Sequence, residues 1–539
     1  MKTNGSPALP SRYPENIRAI YRVFATHGGP LRGLMSTPKS PNFQGRFGRM
    51  FHKLPAATYG KTDDESRAAL VALGQEMTAG FDRPKDGFDA EESGIPALYT
   101  YFGQFIDHDI TFDPMTTLIK RSDPDALTDF RTPALDLDNV YGRGPSDQPY
   151  MYDGNGVKFL TGLSISPKSQ DLPRSASTPA RAIIGDPRND ENNIVSQFQG
   201  LMLSFHNRLV DEQPGLEFPE YQRQVRWHYQ YVVVNDFLSR IVSPAVLEDL
   251  KTDKKFDKDK LRFFVWKNDP FMPIEFSVAA YRLGHSMVRP GYRLNDKDGS
   301  LLPIMPVPPQ GLTDSLSGFD SIRAERAIDW GRFIDLKGDV REYGEDPDKV
   351  SSPTDAMRRR LQFAYRIDTS VVNPLAFLPH RTAPDSPSSL AQRNLIRGFE
   401  LGLPSGQDVA RSMGITPLSK EDILIGKAVD DTHSSDFGKP ISEFPNLSAF
   451  SEKCPLWTYV LAEARHWTTS MDIQVTGGMK INTPQLGPVG GRIVAEVFLG
   501  LMFGDSDSYL STDPNWVPTL GSAGAAFRLR DLVDYALGN

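Results

Sequence analysis

Apolar residues recur every three to four positions between residues 193 and 212, and this periodicity limits the fold more than any other feature of the chain. Ile194, Phe198, Leu201 and Leu209 would share one face of an amphipathic or buried helix. Similar helical patterns cover residues 221–241, 273–288, 456–466 and 492–502. Alternating patterns typical of strands are few and short. The sequence therefore predicts a mainly α fold, with a single large helical domain, few short strands and long loops.

The long loops are expected from the glycine and proline content. The chain of 539 residues contains 44 Gly and 43 Pro, a larger share than is usual in globular proteins. The first 40 or so residues are rich in Pro, Gly and Ser, which favours an extended arm. We therefore expect an N-terminal extension over residues 1–44 and one domain over residues 45–539.

Charge and cysteine content exclude several classes of protein. The chain has 60 Lys and Arg against 68 Asp and Glu, which argues against a protein that neutralises nucleic-acid phosphates. Cys454, the one cysteine, excludes an internal disulfide and a zinc site made of several cysteines. No apolar run reaches the roughly 18 residues that a transmembrane helix needs. The N-terminus lacks the apolar segment of a secretory signal peptide, so we expect a cytoplasmic protein, or one exported without such a signal.

The stretch 101–111 places a histidine among carboxylates in otherwise apolar surroundings. Gln104 and His108 are four positions apart and would share one face of a helix. Asp107 and Asp109 flank the histidine, so one turn offers a base and two carboxylates that point in different directions. These groups could form a solvated polar face, but on so apolar a helix they need partners. His108 is therefore a candidate base.

A second cluster, beginning at Thr132, is rich in oxygen ligands. A hydroxyl, a backbone carbonyl and the carboxylates of Asp136 and Asp138 are hard donors that suit calcium, and Asp109 could join them. The spacing is not that of an EF-hand, and an acidic turn is the alternative interpretation.

Three smaller groups complete the candidates. Arg188 and Glu191 lie three residues apart before the helix predicted at 193, where acidic residues could equally cap the helix. His285 lies in an apolar segment, and a histidine there is more often structural than a ligand. Asn394 and Arg397 are also three residues apart.

The motifs that contain these residues resemble those of the animal-type haem peroxidases of the peroxidase–cyclooxygenase superfamily, in a form like those found in bacteria. The five motifs are Gln-Phe-Ile-Asp-His-Asp at 104–109, Thr-Pro-Ala-Leu-Asp-Leu-Asp at 132–138, Gly-Asp-Pro-Arg at 185–188, Arg-Leu-Gly-His at 282–285 and Arg-Asn-Leu-Ile-Arg at 393–397. They occur in the family's order and at similar separations. The resemblance runs from about Phe47 to the C-terminus.

The resemblance implies a role for each candidate residue. The catalytic residues it implies are His108 as the distal base, Arg188 as the distal arginine and Gln104 as a hydrogen-bonding residue of the distal cavity. The haem-binding residues it implies are His285 as the iron ligand, Asn394 as the hydrogen-bond acceptor of His285, Arg397 near a propionate, and Asp107 and Glu191 as carboxylates able to form ester links to haem b. The calcium ligands it implies are Asp109, Thr132, the carbonyl of Ala134, Asp136 and Asp138.

The activity that the resemblance implies is that of a haem peroxidase. Hydrogen peroxide would be reduced while small organic reductants, halides or thiocyanate are oxidised, in keeping with a response to oxidative stress. Haem iron needs one strong axial ligand and one open face, and the open face needs a base and a positive group for peroxide cleavage. No nucleic-acid partner and no membrane span are expected.

Two positions depart from the family pattern. Asn192 stands where some relatives have a methionine bonded to the haem through sulfur, so strongly oxidising chloride chemistry is not expected. Arg282 stands where fatty-acid oxygenases have a radical-forming tyrosine, and Tyr281 is one position off. A haem-dependent fatty-acid dioxygenase is thus disfavoured but kept as the alternative. A second alternative, a non-enzymatic haem-fold protein for adhesion or interaction, is disfavoured by the intact distal residues.

Overall fold

The fold is described from a computed structural model that covers residues 47–84, 86–111, 132–297, 301–344, 359–379, 387–434 and 437–539. The N-terminal extension predicted over residues 1–44 lies outside these ranges, so it stays a prediction.

Helices make up most of the regular structure, and the longer ones are labelled here in chain order. They are α1 (Asp63–Glu76), α2 (Leu98–Ile110), α3 (Asn193–Glu212), α4 (Phe218–Val232), α5 (Leu390–Glu400), α6 (Gly406–Ser412), α7 (Leu456–Ala464), α8 (Pro488–Gly504) and α9 (Leu529–Leu537). Shorter helices lie at Asp138–Tyr141, Leu238–Ile241, Pro244–Asp249, Ile274–Ser277 and Tyr509–Thr512. Two 3-10 turns carry site residues, Pro187–Asp190 and Ala280–His285.

Strands are short and, in the parts of the chain that the structure describes, pair only in twos. One pair is parallel, Phe47–Gly48 with Met272–Pro273. The antiparallel pairs are Glu92–Pro96 with Phe363–Tyr365, Ser164–Ser166 with Ser169–Gln170, Lys251–Thr252 with Lys255–Phe256, Gly291–Arg293 with Leu301–Pro303, Leu424–Ile425 with Lys439–Pro440, and Thr468–Ile473 with Met479–Pro484. The predicted mainly α fold class is confirmed.

Helix α3 has the bounds that its apolar periodicity predicts, and it lies at the centre of the core. Asn192 caps its first turn, because the side-chain oxygen accepts hydrogen bonds from the N–H groups of Ile194 and Val195 at 3.1 and 2.9 Å. The Phe198 ring packs edge to face against Phe105 of α2, with 5.1 Å between ring centroids. The cap and the aromatic contact together fix α3 beside α2.

Helix α8 is apolar and buried along most of its length, but it carries a charged pair. The Glu496 carboxylate accepts hydrogen bonds from the Arg492 guanidinium at 2.7 Å and from the N–H groups of Phe263 and Phe264 at 2.7 and 2.9 Å. The buried charge is therefore paired and hydrogen-bonded, as burial demands.

Among the described residues, no helix combines the length and apolar character that crossing a membrane requires.

The helix predicted over 221–241 is present, but it contains an irregular turn. Helix α4 begins at Phe218, and the chain then passes through a π-type turn at Val233–Phe237 into the short helix Leu238–Ile241. The helical periodicity is thus correct over the whole segment, while the widened turn is not visible in the apolar pattern.

The continuous helix predicted over 273–288 is wrong. The segment divides into Ile274–Ser277 and the 3-10 turn Ala280–His285, separated by a non-helical backbone at Ala279. The Arg282 side chain donates to the carbonyl of Ser277 at 3.0 Å and so replaces a backbone N–H that would continue the helix. The side-chain contact satisfies the carbonyl at the end of the first helix, while the apolar pattern continues beyond it.

Candidate active site

Helix α2 is largely buried, and one of its faces is partly accessible. Every residue of the helix is buried except Gly103, Gln104 and Asp107, which are partly accessible. Gly103 and Gln104 are adjacent and lie four and three residues before Asp107, so the three positions share one face. Two of them, Gln104 and Asp107, are the residues that the family resemblance places beside the haem.

His108 lies next to this face and is held at one ring nitrogen. It is 5% exposed, and its Nδ1 lies 2.7 Å from Oδ1 of Asn189. Burial, and to a smaller extent the positive charge of Arg188, lower the pKa of His108 to about 4. The imidazole is therefore neutral at pH 7. With Nδ1 bound to an amide oxygen, Nε2 is the nitrogen left to accept a proton.

Arg188 is anchored between a buried carboxylate and the end of α2. Its Nη2 donates to Oδ2 of Asp186 at 2.8 Å and to the carbonyls of His108 and Thr111 at 3.1 and 2.5 Å. The fully buried Asp186 raises the pKa of Arg188 and keeps it charged. The structure thus brings the predicted distal arginine beside the predicted distal base.

Glu191, Gln104 and Asn192 form a hydrogen-bonded group at the partly accessible face of α2. The Gln104 amide donates to the Glu191 carboxylate through Nε2 and accepts from Asn192 Nδ2 at 3.2 Å. Burial raises the pKa of Glu191 to about 7, and the charge of Arg188 acts in the opposite direction. Gln104 is therefore fixed by two residues, one of which also caps α3.

Asp107 is central among the charged groups of the site. Its Oδ1 accepts a hydrogen bond from the Thr111 hydroxyl at 3.2 Å. Its negative charge contributes to raising the pKa of both Arg188 and Glu191. The two carboxylates predicted to link to haem, Asp107 and Glu191, thus lie close enough to act on each other.

His285 stands at the end of the 3-10 turn Ala280–His285, against Asn394 of α5. Its Nδ1 lies 2.7 Å from the Asn394 amide, and the nearer amide atom is Nδ2. The sequence predicts an acceptor at this place, so the amide must turn by 180° to present its oxygen. Burial lowers the pKa of His285 to about 3, and Arg282 adds to the effect. The imidazole is neutral, as a metal ligand must be.

Open volume borders the His285 segment. The His285 side chain is only partly buried, and a Cβ placed on the preceding Gly284 would meet no atom within 4 Å. The charges of Asp107 and Arg188 both act on the pKa of Arg282, three residues before His285. The Tyr281 hydroxyl also donates to the Gly103 carbonyl at 3.1 Å, so the two histidine-bearing segments lie close together. Arg397, predicted near a propionate, is partly buried on α5, one turn beyond Asn394.

This arrangement fits a haem. It offers a neutral imidazole, His285, and, on a separate segment, a neutral base with a charged arginine, His108 and Arg188. These are the groups that an axially ligated iron with one open reactive face requires. The catalytic and haem-binding roles of individual residues stay predictions.

The predicted calcium ligands are buried, on α2 and in the loop that begins at Thr132. Asp109 accepts a hydrogen bond from the Tyr229 hydroxyl at 3.1 Å, and Asp136 accepts one from the N–H of Asp138 at 3.1 Å. The charges of Asp109 and Asp136 both contribute to raising the pKa of Tyr229. Helix α2, which carries Asp109, and the 132–138 loop, which carries Asp136, therefore approach each other near Tyr229. Thr132 and Ala134 lie in the same buried loop. In the described ranges no group of three or more His, Cys, Asp or Glu could hold a metal ion, and calcium stays a prediction.

Two residues of the site are not identified by the sequence motifs. Asn189 follows Arg188 directly and binds His108, and Gln199 of α3 binds Asn189 at 2.8 Å. Two features of the sequence point to these residues. Asn189 is an amide directly after the arginine of the Gly-Asp-Pro-Arg motif, and Gln199 is a polar residue in a buried part of α3.

Comparison with known proteins identifies the class of the fold. The animal haem peroxidase family model matches residues 119–307. Peroxidase A from Dictyostelium discoideum has a similar structure, with a TM-score of 0.54 and 14% identity over 88% of this chain and 90% of that chain. The fatty acid alpha-dioxygenase of Arabidopsis thaliana gives a TM-score of 0.53 and 14% identity over 92% of this chain and 78% of that chain. No curated protein shows significant sequence similarity.

The chain therefore has the fold of the animal-type haem peroxidases, and the family resemblance predicted from its motifs is confirmed. This family binds haem, and the members of the peroxidase–cyclooxygenase superfamily are oxidoreductases. The two structural neighbours carry different activities in their names, a peroxidase and a fatty acid dioxygenase.

Proposed function

We propose that the protein is a haem peroxidase that reduces hydrogen peroxide and oxidises small organic reductants, halides or thiocyanate. The observation that carries the proposal is the neutral, buried His108, held through Nδ1 by Asn189 and placed beside the charged Arg188. When bound through His285, haem b would supply the two electrons that the reduction of peroxide takes, and the reductant would restore them.

The protein's own groups would manage the protons and the charge of this reaction. Nε2 of His108 would take a proton from one oxygen of hydrogen peroxide and deliver it to the other oxygen, which leaves as water. The Arg188 guanidinium would stabilise the negative charge that develops on the leaving oxygen. Gln104, fixed by Glu191 and Asn192, would orient peroxide or an ordered water by hydrogen bonding.

His285 would hold the iron through Nε2. Its neutral state follows from burial, and Asn394 would orient the ring through Nδ1 once the amide oxygen faces that nitrogen. Arg397 would pair with a propionate. Calcium, bound at Asp109 and the 132–138 loop, would fix the end of α2 and hence the position of His108.

A fatty-acid dioxygenase is the second candidate, supported by the similar fold of the Arabidopsis enzyme. Against it, the position three residues before His285 is Arg282, whose side chain is bound to the Ser277 carbonyl. The neighbouring Tyr281 donates to the Gly103 carbonyl at 3.1 Å, and its ring stacks on Phe276 with 4.7 Å between centroids. Tyr281 is thus engaged in packing. Oxygen uptake with a polyunsaturated fatty acid, without added halide, would favour this candidate.

The test of the proposal is an absorption spectrum of the purified protein before and after one equivalent of hydrogen peroxide. The proposal predicts a Soret band that shifts with peroxide and returns when bromide, iodide or a phenol is added. His285→Ala should lose the haem, while His206→Ala, at a buried histidine bound to Tyr141 and Val157, should retain it. A haem-loaded protein whose Soret band does not change with peroxide would contradict the peroxidase assignment. It would favour the non-enzymatic haem-fold protein for adhesion or interaction.

A further inference from the structure

A closed circuit of hydrogen bonds connects His108 back to its own helix. His108 Nδ1 meets Asn189 Oδ1 at 2.7 Å, and Asn189 Nδ2 donates to Gln199 Oε1 at 2.8 Å. Gln199 Nε2 donates to the backbone carbonyl of Asn139 at 3.2 Å, and the Asn139 side chain donates to the carbonyl of Phe105 at 2.9 Å. Phe105 is one turn before His108 on α2, so the circuit begins and ends on the same helix.

The direction of every bond in this circuit follows from one backbone carbonyl. The carbonyl of Asn139 can only accept, so Gln199 must turn its Nε2 towards it and its Oε1 towards Asn189. Asn189 must then donate with Nδ2, which leaves Oδ1 facing His108. An amide oxygen can only accept, so His108 must carry its proton on Nδ1.

Burial makes this orientation hard to reverse. Asn189, Gln199 and Asn139 have no exposed surface, and His108 is 5% exposed. Turning either side-chain amide by 180° would place two acceptors or two donors face to face in a buried environment. The circuit therefore selects a single arrangement.

We infer that Asn189 is a positioning residue that fixes His108 in the Nδ1–H tautomer, and that Gln199 fixes the amide of Asn189. Nε2 is then unprotonated and faces away from the circuit before any peroxide arrives. The inference rests on the proposed function only in giving His108 the role of base. The tautomer itself can be measured without any turnover.

The first measurement is ¹⁵N NMR of the full chain with labelled histidine, reconstituted with zinc protoporphyrin as a diamagnetic substitute for haem. His108 is assigned by the signals lost in His108→Gln. The wild-type protein should show a protonated Nδ1 and an unprotonated Nε2. A protonated Nε2 in the wild type would overturn the inference at once.

Variants separate orientation from packing. Asn189→Leu keeps the approximate size and removes the acceptor, so both tautomers should appear and the reaction of the haem-loaded chain with peroxide should slow by about tenfold or more. Asn189→Asp keeps an acceptor for His108 while losing the donor to Gln199, so Nδ1 of His108 should stay protonated. If Asn189→Leu fails to bind porphyrin, Gln199→Leu decides, because it frees the Asn189 amide to turn and should also give mixed tautomers.

Gln197→Leu is the matched control. Gln197 is buried on the same helix, two residues before Gln199, and its amide bonds instead to the carbonyls of Asn193 and Arg326, each at 3.0 Å. This variant should leave the His108 signals and the peroxide reaction unchanged. Equal effects of Gln197→Leu and Gln199→Leu, or wild-type signals in both Asn189→Leu and Gln199→Leu, would overturn the inference. A correct tautomer in a protein that does not react with peroxide would contradict the proposed function alone.

Discussion

Asn192 joins the start of helix α3 to the distal glutamine: its Oδ1 caps the helix, and its Nδ2 donates to Gln104 at 3.2 Å. By the family resemblance, this is the position at which some relatives have a methionine bonded to the haem through sulfur; here it holds two elements of the site together. The side-chain oxygen of Asn192 thus stabilises the start of α3, and its side-chain nitrogen holds Gln104.

Replacing Asn192 should separate these two contributions. Asn192→Met removes the cap and should lower the free energy of unfolding by about 1 kcal/mol. Asn192→Ser retains a capping oxygen but loses the amide donor to Gln104. Its free energy of unfolding should be close to that of the wild type, while the rate of its reaction with peroxide should fall. Urea denaturation and stopped-flow kinetics of both variants would check this. Equal stability of Asn192→Met and wild type would contradict the capping role.

The pH dependence of the peroxide reaction should follow the lowered pKa of His108. The base must be neutral to accept a proton, so the rate is full above the pKa and falls as the pH drops through it. Because burial lowers the pKa to about 4, the rate should be nearly constant from pH 8 to about 5 and fall below that. Stopped-flow measurements across this range, with stability monitored in parallel, would show it. An inflection near 6.5, the ordinary value for histidine, would mean that His108 is not the group that titrates.

Ester links to the haem, if they form, depend on Asp107 and Glu191. Glu191→Gln and Asp107→Asn should each increase the haem released by acid–acetone extraction after treatment with peroxide. Glu463→Gln is the matched control, because burial also raises the pKa of Glu463 to about 7, but its carboxylate caps α8 away from the site. Complete haem release from the wild type after peroxide treatment would exclude the links.

Calcium is predicted at Asp109 and the 132–138 loop. Metal analysis of the purified chain should find calcium, and its removal by a chelator should lower the thermal stability by mass action. Asp136→Asn should reduce the calcium content, while Asp147→Asn, at a surface residue paired with Arg143, should not. A chain without calcium that is equally stable with and without chelator would refute this site.

Part of this fold and site follows directly from the sequence. Helix α3 was predictable to its ends because a periodic apolar face and a capping Asn192 coincide. The segment before His285 was not, because its helix ends at a contact between the Arg282 side chain and the Ser277 carbonyl. Such a contact depends on the conformation of one side chain and leaves no periodic signal.

Some site residues could be identified from the sequence, and others could be identified only from the structure. His108, Arg188 and His285 belong to motifs whose order along the chain identifies them. Asn189 acts on a histidine 81 positions away, and nothing in its neighbours indicates that partner. Its role becomes visible only when α2 and the 3-10 turn Pro187–Asp190 are packed together.

The most direct test of the account compares two buried histidines in the reaction with hydrogen peroxide. Burial lowers the pKa of both His108 and His206 to about 4, but only His108 lies beside Arg188. His108→Gln should retain the Soret band and slow the stopped-flow reaction with peroxide by about 100-fold or more, the contribution of a general base. His206→Gln should react like the wild type. A His108→Gln protein that reacts with peroxide as fast as the wild type would contradict the central claim.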